Sequence, residues 1–82
     1  MYFVYLITSI KYPSQFYIGY TTDVQKRLRT HNYGGSIHTA KYKPWKLIVY
    51  LGFANKTTAI KFEKYLKSQS GRAFATKRLL YP

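Results

Sequence analysis

The sequence predicts an α/β chain of the α+β kind, its elements running strand, strand, helix, strand, helix, helix. Three observations carry that expectation. Two β-branched and aromatic runs near the N-terminus are joined by a short turn. A helix with a start signal follows and stops at a glycine pair. A third apolar run then leads into a stretch whose apolar residues recur at helical spacing. Eighty-two residues make one domain, 1–82. A chain of this size has a small core and buries about 60–65% of its unfolded surface.

Tyr2 to Ile7 is a continuous apolar run, which suits a strand covered on both faces. Lys11-Tyr12-Pro13-Ser14 turns the chain, and Phe16 to Tyr20 returns as the second strand of an antiparallel hairpin. Thr22-Asp23-Val24-Gln25 fits a capping box with Thr22 as N-cap. Asp23 then lies in the first turn, where an acid complements the helix dipole. That helix, with Val24 and Leu28 as its core edge, stops at Gly34-Gly35. Ser36 to Pro44 reads as a polar loop carrying His38, Lys41 and Lys43, and Trp45 to Phe53 as the third strand. Asn55 to Gln69 is helical, with Ala59, Phe62 and Leu66 on one stripe, and ends before Gly71. A last short helix covers Arg72 to Leu80.

Composition narrows the function. Hydrophobic residues make up 46% and aromatics 20%, which indicates a folded protein rather than a disordered basic tail. Fourteen Lys and Arg against two acids give a net charge of +12, which calls for a polyanionic partner, nucleic acid first. Ten tyrosines supply apolar bulk with a polar tip, suited to a wet binding surface. A membrane partner is not expected, since no helix sets a basic face against a long apolar one. With no cysteine there is no disulfide framework and no thiolate zinc site. The apolar N-terminus lacks a basic leader region, and no apolar run reaches the ~18 residues that span a bilayer. A cytoplasmic protein is the default expectation.

Glu63 is the only glutamate, and Asp23 the only aspartate. At helical spacing Glu63 falls on the stripe of Ala59 and Leu66. A carboxylate beside a buried face needs a partner: a cation, a metal ion or both. Arg27 and His31 are four apart and share a helix face. On the hairpin, Tyr5 shares a face with Phe3 and Ile7, and Tyr17 shares one with Gly19. A glycine beside a tyrosine leaves room for a backbone or ligand. The two tyrosines can converge on one spot or simply pack. His38 is expected to be exposed, and Trp45 to pack in the core or at its rim. His31 and His38 do not by themselves make a transition-metal site.

Taken in order, Tyr5, Tyr17-Ile18-Gly19, Arg27, His31 and Glu63 resemble the GIY-YIG nuclease family over nearly the whole chain. The first motif here is Phe3-Val4-Tyr5 and retains only the family's tyrosine. The second is complete. Arg27-Leu28-Arg29-Thr30-His31 matches the family's Arg-x-x-x-His helix, and Lys43-Pro44-Trp45-Lys46-Leu47 is similar to small single-domain members. These resemble the nuclease module at the N-terminus of the excision-repair protein UvrC. The resemblance implies a three-stranded antiparallel sheet flanked by helices. It also implies hydrolysis of DNA phosphodiesters with one divalent ion, Mg²⁺ or Mn²⁺, in DNA repair or processing.

On that resemblance Glu63 is the metal ligand, with water filling most of the shell. Arg27 binds the scissile phosphate and stabilises transition-state charge. Tyr17 is the favoured general base, with Tyr5 hydrogen-bonded nearby. His31 positions the water, shuttles a proton or contacts phosphate. Gly19, Lys41, Lys43, Arg72 and Lys77 are expected on the nucleic-acid path. Many members carry an asparagine about a dozen residues after the glutamate. Here that region is Phe74-Ala75-Thr76-Lys77, so a lysine takes over the phosphate contact or this branch does without it. The expected function is a weakly sequence-specific endonuclease suited to single-stranded or branched DNA. The alternative is a non-catalytic nucleic-acid-binding module.

Overall fold

The computed structural model describes residues 1–81. Strands β1 (Tyr2–Ser9), β2 (Phe16–Thr21) and β3 (Trp45–Phe53) form one antiparallel sheet in the order β2-β1-β3. β1 lies in the middle, so both its faces need cover. Its apolar run meets that demand: Val4 and Leu6 point to one side, Tyr5 and Ile7 to the other, and all four are buried. Tyr5 sits opposite Gly19 on β2 and opposite Tyr50 on β3, while Ile7 faces Tyr17. Pairing with β3 shifts register between Leu6 and Ile7.

Helices cover the two faces separately. On one lie α1 (Val24–Tyr33) and the short α2 (Ile37–Ala40), over a core of Tyr5, Ile7 and Trp45 with Tyr17, Leu28, Tyr42 and Leu47 packed against it. On the other lie α3 (Lys56–Lys67), α4 (Gln69–Ala75) and a π-helical segment, Thr76–Leu80. There Ala59, Leu66 and Ala75 bury against Val4, Leu6 and Ile18. Among the described residues no helix is long and apolar enough to cross a membrane.

Several boundaries differ from the sequence reading. Asp23, not Thr22, is the N-cap of α1: its side chain accepts from the Lys26 amide at 3.0 Å. A carboxylate caps as well as a hydroxyl, and Thr21 fixes the approach by accepting from the Asp23 amide at 3.1 Å. The acid therefore remains structural, one position earlier in the helix than expected. The stop at Gly34 holds, with φ of 87° and the Gly35 amide reaching back to the Thr30 carbonyl at 3.0 Å. The expected loop of residues 36–44 contains α2. Gly71 does not separate two helices. α3 ends at Lys67, Ser68 caps α4 through the Gly71 amide at 3.2 Å, and Gly71 lies inside α4. A Cβ there would run into the Tyr65 carbonyl, so glycine lets α4 close against the end of α3. The last helix accordingly begins at Gln69 rather than Arg72.

Candidate active site

The site lies at the β2 edge of the sheet, where residues from both helical layers meet. Tyr5 and Tyr17 point to the α1 side, with ring centroids 6.3 Å apart. The Tyr5 ring lies over Gly19: a Cβ on residue 19 would overlap the phenol's outer carbons and oxygen. The space beside Gly19, expected to admit nucleic acid, is thus taken up by Tyr5 itself.

From α1, Arg27 Nε donates to the Tyr5 hydroxyl at 3.2 Å. Tyr5 Oη lies 2.8 Å from His31 Nε2, and His31 Nδ1 lies 2.8 Å from Thr39 Oγ1 on α2. A guanidinium can only donate, so the Tyr5 oxygen accepts from Arg27. The Thr39 hydroxyl donates to the Ser36 carbonyl at 3.5 Å, so it accepts from His31 Nδ1 and the Tyr5 proton goes to His31 Nε2. His31 is then the neutral Nδ1–H tautomer, donating to Thr39. Two environmental effects keep both groups in these states. Burial pushes the Tyr5 phenol up to about 12, outweighing the lowering from the Arg27 hydrogen bond and charge. Burial, helped by the Arg27 charge, pulls His31 down to about 4. The hydrogen bond to Tyr5 raises Arg27 above its ordinary value, with Tyr17 adding to that rise.

His31 is fully buried, and both its nitrogens are engaged. Of the roles expected for it, direct phosphate contact is therefore not available in this arrangement. Its contact with the site is through the Tyr5 hydroxyl. Arg27 donates through Nε to Tyr5, and the Tyr17 hydroxyl lends its charge further support.

Glu63 comes from α3, beside the buried Ala59 and Leu66, with 18% of its side chain exposed. Its partner is a cation: Lys67 Nζ lies 3.1 Å from Oε2, one helical turn on. The same ammonium sits 5.5 Å from the centre of the Tyr17 ring. Asp23 caps α1 and takes no part. Among the described residues no group of three or more His, Cys, Asp or Glu is placed to hold a metal. A single carboxylate fits a hydrated magnesium ion, which commonly takes one or two carboxylates together with substrate phosphate. It does not fit a preformed all-protein cage.

The basic residues expected on the nucleic-acid path make contacts of their own. Lys41 covers the Tyr42 ring at 5.2 Å, and Lys43 lies against Gly34. Arg72 stacks on Phe16 at 5.6 Å and donates to the Lys67 carbonyl at 3.3 Å. Lys77 is exposed. His38 is exposed, as expected. Trp45 is buried and donates through Nε1 to the Thr39 carbonyl at 2.9 Å, so it packs and does not present a stacking face.

Three contributors escaped the sequence reading. Thr39 orients His31 from within what reads as a polar loop, and nothing in the sequence marks it. Asn32 clamps β3 to α1, bonding both the amide and the carbonyl of Trp45. Lys67 was legible as the residue four beyond Glu63, a spacing at which opposite charges meet on a helix.

The chain shares its family and its fold with known proteins. The model of a family described as the GIY-YIG catalytic domain matches residues 1–78. The structure-specific endonuclease subunit SLX1 of Debaryomyces hansenii is 41% identical over 73 residues, covering 80% of this chain and 21% of that protein. The same subunit of Scheffersomyces stipitis is 45% identical over 69 residues, covering 76% of this chain and 20% of that protein. The chain thus spans about a fifth of the length of these relatives. Among solved structures, a UPF0213 protein of Bacillus halodurans, determined in solution by NMR, superposes with a TM-score of 0.58. It is 28% identical, and the match covers all of this chain and 89% of that one.

Proposed function

The chain belongs to the GIY-YIG catalytic-domain family, and from that premise we propose that it is a divalent-metal-dependent endonuclease that hydrolyses DNA phosphodiester bonds. The observation that carries the proposal is the convergence of Tyr5, Tyr17, Arg27 and His31 on one sheet edge, with the only glutamate brought to the same edge from the opposite helical layer.

Each residue has a role that its environment supports. Arg27 is fixed by Tyr5 through Nε, so its charge is held at the site, where it binds the scissile phosphate and stabilises the charge that grows on it. Tyr5, pushed up to about 12, stays protonated and serves as the bridge that holds Arg27 and His31 in place. That leaves Tyr17, half-buried beside it, to take the proton of the attacking water. His31 receives the Tyr5 proton bond and, through Thr39, keeps the bridge in one orientation. Glu63 holds Mg²⁺ or Mn²⁺, which supplies Lewis-acid polarisation of the phosphate.

Branched DNA is the favoured substrate class. The two fungal relatives are named structure-specific endonuclease subunits. This chain's +12 charge supplies backbone affinity, which does not depend on base sequence. The test is cleavage of end-labelled single-stranded, duplex, flapped and junction DNA, with an RNA strand of matching sequence, in Mg²⁺ and in EDTA. Metal-dependent nicking, fastest on the branched substrates, is expected. Tight binding without cleavage of any substrate would leave only the alternative, a non-catalytic nucleic-acid-binding module.

A further inference from the structure

Lys67 has no part in the mechanism above, yet it is the residue that touches both halves of the site. An ordinary Glu-Lys pair one turn apart on a helix is a surface feature, worth little and free to point anywhere. Here a second contact fixes the direction. The Lys67 ammonium is 3.1 Å from Glu63 Oε2 and 5.5 Å from the centre of the Tyr17 ring, so the solvent-exposed side chain is turned to the catalytic side of α3. Glu63 is the more buried partner, at 18% exposure against 42%. Among the described residues it forms no other ion pair, although the chain carries fourteen Lys and Arg.

We propose that Lys67 is a positioning residue that serves as the counter-cation of Glu63 in the metal-free protein and competes with a divalent ion for that carboxylate. The inference rests on the reading that Glu63 holds the metal. A carboxylate half-sunk beside Ala59 and Leu66 is costly without a positive partner. The ammonium meets that need and keeps the side chain turned toward Tyr17. Metal loading is then an exchange of one cation for another at the same oxygen. Lys67 weakens metal binding and sets the metal concentration at which the site switches on. On release, its ammonium stays beside the Tyr17 ring.

The test compares Lys67→Met with Lys64→Met. Methionine keeps the aliphatic stem and removes the charge. Lys64 is exposed on the same helix and outside the ion pair, so its substitution changes net charge equally. Free Mn²⁺ is titrated by electron paramagnetic resonance against the intact chain, its Glu63→Gln variant and both lysine variants. Glu63-dependent binding should tighten about two- to five-fold in Lys67→Met relative to Lys64→Met, the factor an exposed helical ion pair represents. The Mn²⁺ concentration for half-maximal DNA cleavage should fall by a similar factor. Equal affinities in the two lysine variants, with Glu63-dependent binding present, would overturn the role of Lys67 and leave Glu63 as the metal ligand. Binding unaffected by Glu63→Gln, or no binding, would overturn both.

Discussion

Lowering the pH tests the Arg27–Tyr5–His31–Thr39 chain without altering a residue. His31 accepts from Tyr5 only while neutral, and its folded value of about 4 lies well below the 6.5 of an ordinary histidine. Between those values the unfolded chain binds a proton that the folded chain does not, so stability falls as pH falls through that window. Above pH 6.5 the contribution is constant. Linkage over a shift of this size gives a loss of about 2 kcal/mol at pH 5 and about 3 kcal/mol at pH 4. The composition makes the effect readable. Acid unfolding usually mixes many carboxylates, but here there are two, and the only other histidine is exposed. Urea unfolding followed by circular dichroism at pH 7, 6, 5 and 4 supplies the curve. His31→Gln, which can still hydrogen-bond but cannot titrate in this range, supplies the background from general charge repulsion. The parent should lose about 2 kcal/mol more than His31→Gln between pH 7 and 5. Parallel curves for the two proteins would refute a buried neutral His31, and with it the assigned direction of the whole chain.

Gly19→Ala places a methyl where the Tyr5 phenol lies. It should cost about 1–3 kcal/mol in urea unfolding and slow cleavage at least tenfold; a change under about 0.5 kcal/mol would show that Tyr5 has room to move. Tyr17→Phe and Arg27→Ala should each slow single-turnover cleavage by about 10² or more. Only Tyr17→Phe should change the shape of the pH profile between pH 6 and 9.5, and parallel profiles for parent and Tyr17→Phe would remove Tyr17 as the base. DNA binding should weaken steeply with salt. With about 4–6 phosphate contacts, affinity should drop on the order of a hundredfold from ~50 to ~200 mM, and a flat titration would argue against backbone-dominated binding.

The first two strands and their hairpin were legible because β1 is apolar on both faces and the turn after it is short. The strand and helix faces on which Tyr5, Tyr17, Arg27 and Glu63 lie followed from periods of two and 3.6, whereas their grouping into one site was implied only by the family resemblance. What periodicity cannot carry is contact between distant segments. The α2 turn that brings Thr39 under His31 depends on packing against Trp45, not on local propensity. Gly71 reads as punctuation, yet its role is to let two helices touch. Likewise, Gly19 signals open space in a strand, but a side chain from the neighbouring strand fills it. The Asp23 cap slipped by one because Thr21, Thr22 and Asp23 are all capable acceptors, and the approach of β2 decides among them.

The central claim, that the lone glutamate makes a nucleic-acid-binding domain into a nuclease, is tested most directly by Glu63→Gln. A flapped DNA is incubated with parent and variant in Mg²⁺ or Mn²⁺, and binding is measured in parallel by gel shift in EDTA. The variant should bind within a few-fold of the parent and should not cleave. Cleavage by Glu63→Gln at the parent's rate would contradict it.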